Sequence, residues 1–179
     1  MLRAMILALL LPISAMAAPR PVTGLLTKGS DLPATIPLQI RASGDRDHAI
    51  ILQDQDGRPV ISGYLRGGEV LRPLVPPGRH SLVIAAGQPE DWQGIDRLFG
   101  EDTEALDMPL TFRIDGNRRI GHSIVLTYSD GSLSITDRQD RTICQIANWD
   151  IKRRVQIAPG GTVLRWLDPQ LETRSRPCD

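Results

Sequence analysis

The sequence predicts an all-β protein: a single antiparallel β-sandwich, or a partly open barrel, with a long acidic loop and a disulfide-pinned C-terminal tail. Three observations carry that expectation. About ten short β-branched or apolar runs recur along the 179 residues, separated by Gly, Pro, Asp and Ser turn signals at sandwich-like spacing. No window sustains a helical period. Two cysteines, Cys144 and Cys178, are the only ones in the chain, and an even count in an exported protein is most simply one disulfide.

The N-terminus reads as a secretory signal over 1–17, with Arg3 as the charged region, an apolar stretch over 5–11, and Ala15-Met16-Ala17 as the cleavage site. The apolar stretch is broken by Pro12 and is far short of the roughly 20 residues that span a bilayer, so no membrane span is expected after cleavage. Residues 18–33, rich in Pro, Gly, Thr and Ser, form a flexible lead-in. The β-sandwich domain then occupies 34–179. Its first strands are expected at 35–41, 48–53, 59–65, 69–75 and 80–86. Asp54-Gln55-Asp56-Gly57 and Arg66-Gly67-Gly68 make hairpin connections, and Val75-Pro76-Pro77-Gly78 ends one strand and starts the next. After the acidic loop come 107–114, 120–128 and 132–136, with Ser129-Asp130-Gly131 as a hairpin turn, then 142–147, 152–157 and 162–166. A disulfide closing a loop of about 35 residues contributes roughly 3–4 kcal/mol in the chain-entropy model.

Charge excludes some partners. Twenty-one basic residues balance twenty-one acidic ones, so no net field draws nucleic acid or an anionic surface. The local exception is the connection over 87–107. It holds Glu90, Asp91, Asp96, Glu101, Asp102, Glu104 and Asp107 against Arg97 alone, and carries Trp92 and Phe99. Long ordered connections usually bind or gate something, which makes Trp92, Asp96, Phe99, Glu101, Asp102 and Glu104 the candidate contact residues. The same residues also fit a loop that folds over a sheet edge, burying its aromatics and leaving its carboxylates solvated.

Three histidines precede similar apolar runs: His48 before Ala49-Ile50-Ile51-Leu52, His80 before Ser81-Leu82-Val83-Ile84, and His122 before Ser123-Ile124-Val125-Leu126. If these strand ends meet, the imidazoles would supply a Zn or Cu site. The absence of any H-x-H or H-x-x-x-H spacing favours instead histidine at a strand entrance, half polar and half packed, without a metal. Asp54, Asp56 and Gly57 lack the flanking carboxylates of a calcium loop, since Leu52 and Gly63 stand at the first and twelfth positions. There is no G-x-S-x-G elbow and no phosphate-cradling glycine loop.

An ordered series of landmarks runs over 36–136: Ile36-Pro37-Leu38-Gln39-Ile40, Leu65-Arg66-Gly67-Gly68-Glu69, Val75-Pro76-Pro77-Gly78, Trp92-x-Gly94, Leu98-Phe99-Gly100 with Thr103, and Gly131-Ser132-Leu133. In this order they resemble a bacterial family of small exported or membrane-tethered β domains of unestablished function. Asp56-Gly57-Arg58-Pro59-Val60 followed by Val75-Pro76-Pro77-Gly78 is similar, more loosely, to prealbumin-like β-sandwich modules, a likeness of fold alone. The signal segment, the long acidic connection and the sparse catalytic motifs lead to the expectation of a non-catalytic binding or assembly module of the cell envelope, periplasmic or secreted. It has no cofactor, and its partner is another envelope protein rather than nucleic acid. The alternative is a metal-binding protein or metal-dependent enzyme built on His48, His80 and His122.

Overall fold

The computed structural model describes residues 19–178; the expected signal peptide lies outside the described residues, as does the side chain of Asp102. Eleven strands form: β1 Gly24–Lys28, β2 Ile36–Ala42, β3 Asp47–Gln53, β4 Pro59–Leu65, β5 Val70–Leu71, β6 Leu74–Val75, β7 Gly78–Gly87, β8 Glu104–Asp115, β9 Arg118–Ser129, β10 Ser132–Ile157 and β11 Val163–Pro177. Two short 3-10 turns, Pro89–Asp91 and Gly100–Asp102, are the only helical segments among the described residues.

The strands join in one sheet, ordered β1-β4-β3-β7-β8-β9-β10-β11, that bends back on itself through β2 and nearly closes as a barrel. The turn is made on β9. Arg118 to Ile120 pair with the end of β8, whereas His122 to Leu126 pair with β2, and β10 occupies the other edge of β9. The β2–β9 pairing is parallel, which corrects the expectation of a wholly antiparallel sheet. Its partners are separated by the whole run β3 to β8, beyond the reach of turn chemistry. Gly121 permits the junction, since a Cβ there would lie 1.8 Å from the Pro37 carbonyl oxygen. The seam between β1 and β5–β6 stays open as a cleft of about 480 Å³ lined in part by Leu25, Ile61, Leu71 and Leu74.

Alternation fills the interior. Ile36, Leu38, Ile40 and Ala42 of β2 face Ile50 and Leu52 of β3, Leu82 and Ile84 of β7, Leu110 and Phe112 of β8, and Ile124 and Leu126 of β9, all buried. The lead-in is not wholly irregular. Gly24 to Lys28 pair with β4 from Gly24↔Tyr64 to Lys28↔Ile61. A Gly-Leu-Leu-Thr-Lys segment has no alternation of its own, and only an edge some 35 residues downstream makes it a strand.

The C-terminal section departs most from expectation. In place of three short strands and a tail, β10 runs unbroken for 26 residues and β11 returns along it for 15. Pairing extends from Ile143↔Pro177 to Ile157↔Val163 across the 158–161 turn, and β9 supplies no partner beyond Arg118↔Cys144. The result is a two-stranded ribbon extending roughly 45 Å past the barrel, by strand rise. The disulfide Cys144–Cys178, with Cα atoms 5.1 Å apart, pins its base.

Candidate interaction surface

The acidic connection is built from tight turns. Gln93 N–H donates to Leu98 O at 2.8 Å and Leu98 N–H to Gly94 O at 2.7 Å, while the Thr103 hydroxyl accepts from Phe99 N–H at 3.0 Å and donates to Gly100 O at 2.8 Å. These turns aim Trp92 and Phe99 inward. Both are buried against Ala49, Tyr64 and Ala85 on the outer face of β3, β4 and β7, with the Trp92 ring 4.8 Å from Tyr64 and 5.3 Å from Phe99. The loop therefore covers a sheet face rather than an edge. Small residues on that face leave room for the rings, and at Gly87 a Cβ would sit 2.2 Å from Phe99 Cγ. Of the candidate contact residues, Trp92 and Phe99 are anchors and present nothing to a partner. Glu104 is also committed, its carboxylate accepting the Leu133 amide at 2.7 Å, and Asp107 accepts the Ser81 hydroxyl. Asp96 and Glu101 are exposed.

Beside this aromatic cluster lies a polar network that the sequence did not single out. Asp47, fully buried at the start of β3, accepts the Tyr64 hydroxyl at 2.6 Å, Arg20 Nε at 2.6 Å and Nη2 at 2.9 Å, and the Gly67 amide at 3.0 Å. Burial pushes its carboxyl up, but the bonds from Arg20, Tyr64 and Gly67 outweigh this and hold it below the ordinary carboxylate value. Burial, then the bond to Asp47, raises the Tyr64 phenol. Arg66 completes the clamp, its amide donating to Thr23 Oγ1 at 3.0 Å and its Nε to Pro21 O at 2.8 Å. The network ties residues 20–23 to the barrel. Its only sequence signal was an Asp-His step leading into a buried apolar run.

The histidines do not converge. His48 shares the interior face with Ile50 and Leu52 and stands opposite Leu65 and Ala86, whereas His80 stands opposite Leu110, six residues back along β7 from Ala86. Six residues of strand separate those levels by roughly 20 Å. His122 lies at the His80 end; Phe112 separates the two, its ring 5.9 Å from His80 and 5.1 Å from His122. Among the described residues no three His, Cys, Asp or Glu side chains are placed to hold a metal ion. A three-histidine centre is thus not assembled, because the strand entrances that looked equivalent lie at opposite ends of the barrel. Burial drives the His48 imidazole down to about 4, and neither ring nitrogen has a hydrogen-bond partner of good geometry. His122 Nε2 lies 3.0 Å from Thr111 O, which fits an Nε2–H donor, and its Nδ1 is 3.3 Å from Asp140 Oδ1 without hydrogen-bond alignment. Burial lowers its pKa as well.

Most of the exposed large apolar side chains among the described residues lie on the β10–β11 ribbon. Directly opposed residues share a face, so Trp149 with Leu171, Ile151 with Pro169, and Ile157 with Val163 form one side, joined by Val155 and Leu167. The seven large side chains Trp149, Ile151, Val155, Ile157, Val163, Leu167 and Leu171 are 49–71% exposed. The opposite side mixes polar and charged side chains with Leu164 and Trp166, which are 47% and 44% exposed. Arg154 Nε donates to Asp168 at 2.7 Å, and Lys152 Nζ to the Gln170 side-chain carbonyl at 2.8 Å. Alternating Trp149, Ile151, Val155 and Ile157 was the available sequence signal, obscured because Asn148, Asp150 and Pro169 read as breaks. A two-strand ribbon tolerates them, having free edges that demand no further hydrogen bonds. Compared with models of known protein families, with curated proteins and with solved structures, the chain gives no match.

Proposed function

We propose that this chain is an exported, non-catalytic binding or assembly module of the cell envelope, and that the β10–β11 ribbon is its contact surface. The exposed apolar face of that ribbon carries the proposal. Monomeric proteins rarely leave contiguous apolar patches beyond a few hundred Å² uncovered, and an isolated two-stranded hairpin is marginal in water unless something packs on it. The Cys144–Cys178 disulfide supports the oxidising compartment, and the 1–17 signal pattern supports export to it. Contact thus moves from the acidic loop, whose aromatics are buried, to the far end of the chain.

A photo-crosslinking residue placed at Trp149 or Leu167 of the full chain, in intact cell envelopes, tests this. Adducts of higher mass are expected at these two positions and not at Gln139, on the outer face of β10 within the barrel. Absence of adducts at both ribbon positions would sink the assignment.

A further inference from the structure

We infer that the ribbon's partner is a second copy of this chain, the two ribbons stacking apolar face on apolar face about a two-fold axis. This rests on the ribbon being a contact surface and adds the identity of the occupant.

The chain's own barrel does not cover this face, since β9 pairs with β10 only as far as Cys144 and the ribbon runs on beyond it. In the β9–β10 ladder, Arg138 stands opposite the buried Ile124, Thr142 opposite Ile120 and Cys144 opposite Arg118, so even-numbered β10 positions share the interior side. Trp149, Ile151, Val155 and Ile157 are odd-numbered, lie beyond the last β9 partner, and are 59–71% exposed. Size fits a dimer. Seven large side chains, each 49–71% exposed, leave apolar surface on the order of the 800 Å² that each partner contributes to a standard interface. The face is chemically its own complement, as a two-fold contact requires, and stacked sheets pack about 10 Å apart. The polar contacts of the opposite face, the Arg154–Asp168 ion pair and the Lys152–Gln170 hydrogen bond, remain in water.

A bilayer is the rival cover, because the apolar band is nine residues long on each strand, the length of a membrane-crossing strand. Two residues on this same face decide against it. Arg153, opposite Leu167, and Arg165, opposite Val155, stand within the band, where a lipid-facing arginine is strongly disfavoured. In a ribbon only two strands wide, one arginine lies toward each edge. Its stem covers apolar surface while its guanidinium reaches water. Trp and Arg are also the side chains enriched at protein contacts.

Sedimentation of the purified, disulfide-intact chain across a concentration series tests the inference. A reversible dimer is expected that persists at high salt. Trp149→Ser and Leu167→Ser should each weaken it by about 30-fold or more, as for a contact hot spot. The paired change Lys152→Ser with Gln170→Ser on the opposite face should leave it intact. Circular dichroism and an unchanged barrel melting transition verify that the variants fold. Three results overturn the inference: a chain that stays monomeric, salt-labile oligomers growing past the dimer, or a monomer that cosediments with phosphatidylethanolamine–phosphatidylglycerol vesicles. A monomeric chain that still crosslinks through Trp149 in envelopes refutes self-association alone, whereas loss of both signals also removes the ribbon as a contact surface.

Discussion

At Asp47 one carboxylate closes three structural accounts: the Tyr64 hydroxyl, the Gly67 amide and the Arg20 guanidinium all end on it. Its removal leaves a buried hydroxyl and a buried amide without an acceptor, each a penalty of about 1–3 kcal/mol. Arg20 is 43% exposed at its side chain, so its loss leaves the carboxylate still bonded to two neutral donors and partly rescued by water. Asp47→Ala is therefore expected to destabilise by about 3 kcal/mol and Arg20→Ala by about 1 kcal/mol, read as shifts in denaturant midpoint. Equal costs would mean that the charge pair, rather than the neutral donors, dominates. A single Asp before an apolar run is a common pattern, and nothing local announces the three partners that distinguish this one.

The acidic connection acts as an element through its anchors. Trp92 and Phe99 pack on Ala49, Tyr64 and Ala85, and their turn is secured by Thr103 bonding at both ends. Truncating a buried aromatic of this kind costs about 3–5 kcal/mol, with the cavity term added to the lost burial. Trp92→Ala should therefore release 88–103 from the sheet. Limited proteolysis is expected to cut within that segment well before the barrel is attacked. Cleavage no faster than in the parent chain would show that the turns alone hold the loop. The ribbon is the opposite kind of element, tied at its base by Cys144–Cys178 and unsupported by a third strand beyond it.

For the whole molecule, the buried histidines set the response to acid. His48 has a folded pKa of about 4 against an ordinary value near 6.5, so the unfolded chain binds its proton first. Stability contributed by keeping His48 neutral is complete above about pH 6.5 and is lost as pH falls towards 4, by up to about 3 kcal/mol. His122 shifts in the same direction for the same reason, burial. Asp47, held below its ordinary value, retains its contribution through this window and gives it up only in stronger acid. Urea unfolding at pH 7.0 and 4.5 should show the fall, and His48→Leu should flatten it. An unchanged slope in that variant would assign the acid sensitivity elsewhere.

Strand content, the hairpin turns at 54–57 and 129–131 and the disulfide were legible in the sequence because they depend on short-range chemistry: alternation, turn residues within four positions, and a cysteine count. The expected hairpin at Arg66-Gly67-Gly68 is not one, since β5 beyond it pairs with β2 rather than β4. Asp54 accepting the Asp56 and Arg58 amides, and the Ser129↔Ser132 hairpin, follow from residues adjacent in the chain. The aromatic anchors of the acidic loop were legible too, as apolar side chains that water would not leave uncovered. Tertiary structure alone decided what lies between distant segments. It made the parallel β2–β9 pairing, gave Gly24–Lys28 a strand partner, placed the loop on a face, and set His48 far from His80. It also joined three apparent strands into one ribbon whose apolar side has no cover among the described residues. The physical reason is common to all of these. Local pattern fixes which side of a strand is apolar, whereas the choice of what meets that side is made by packing across the whole barrel.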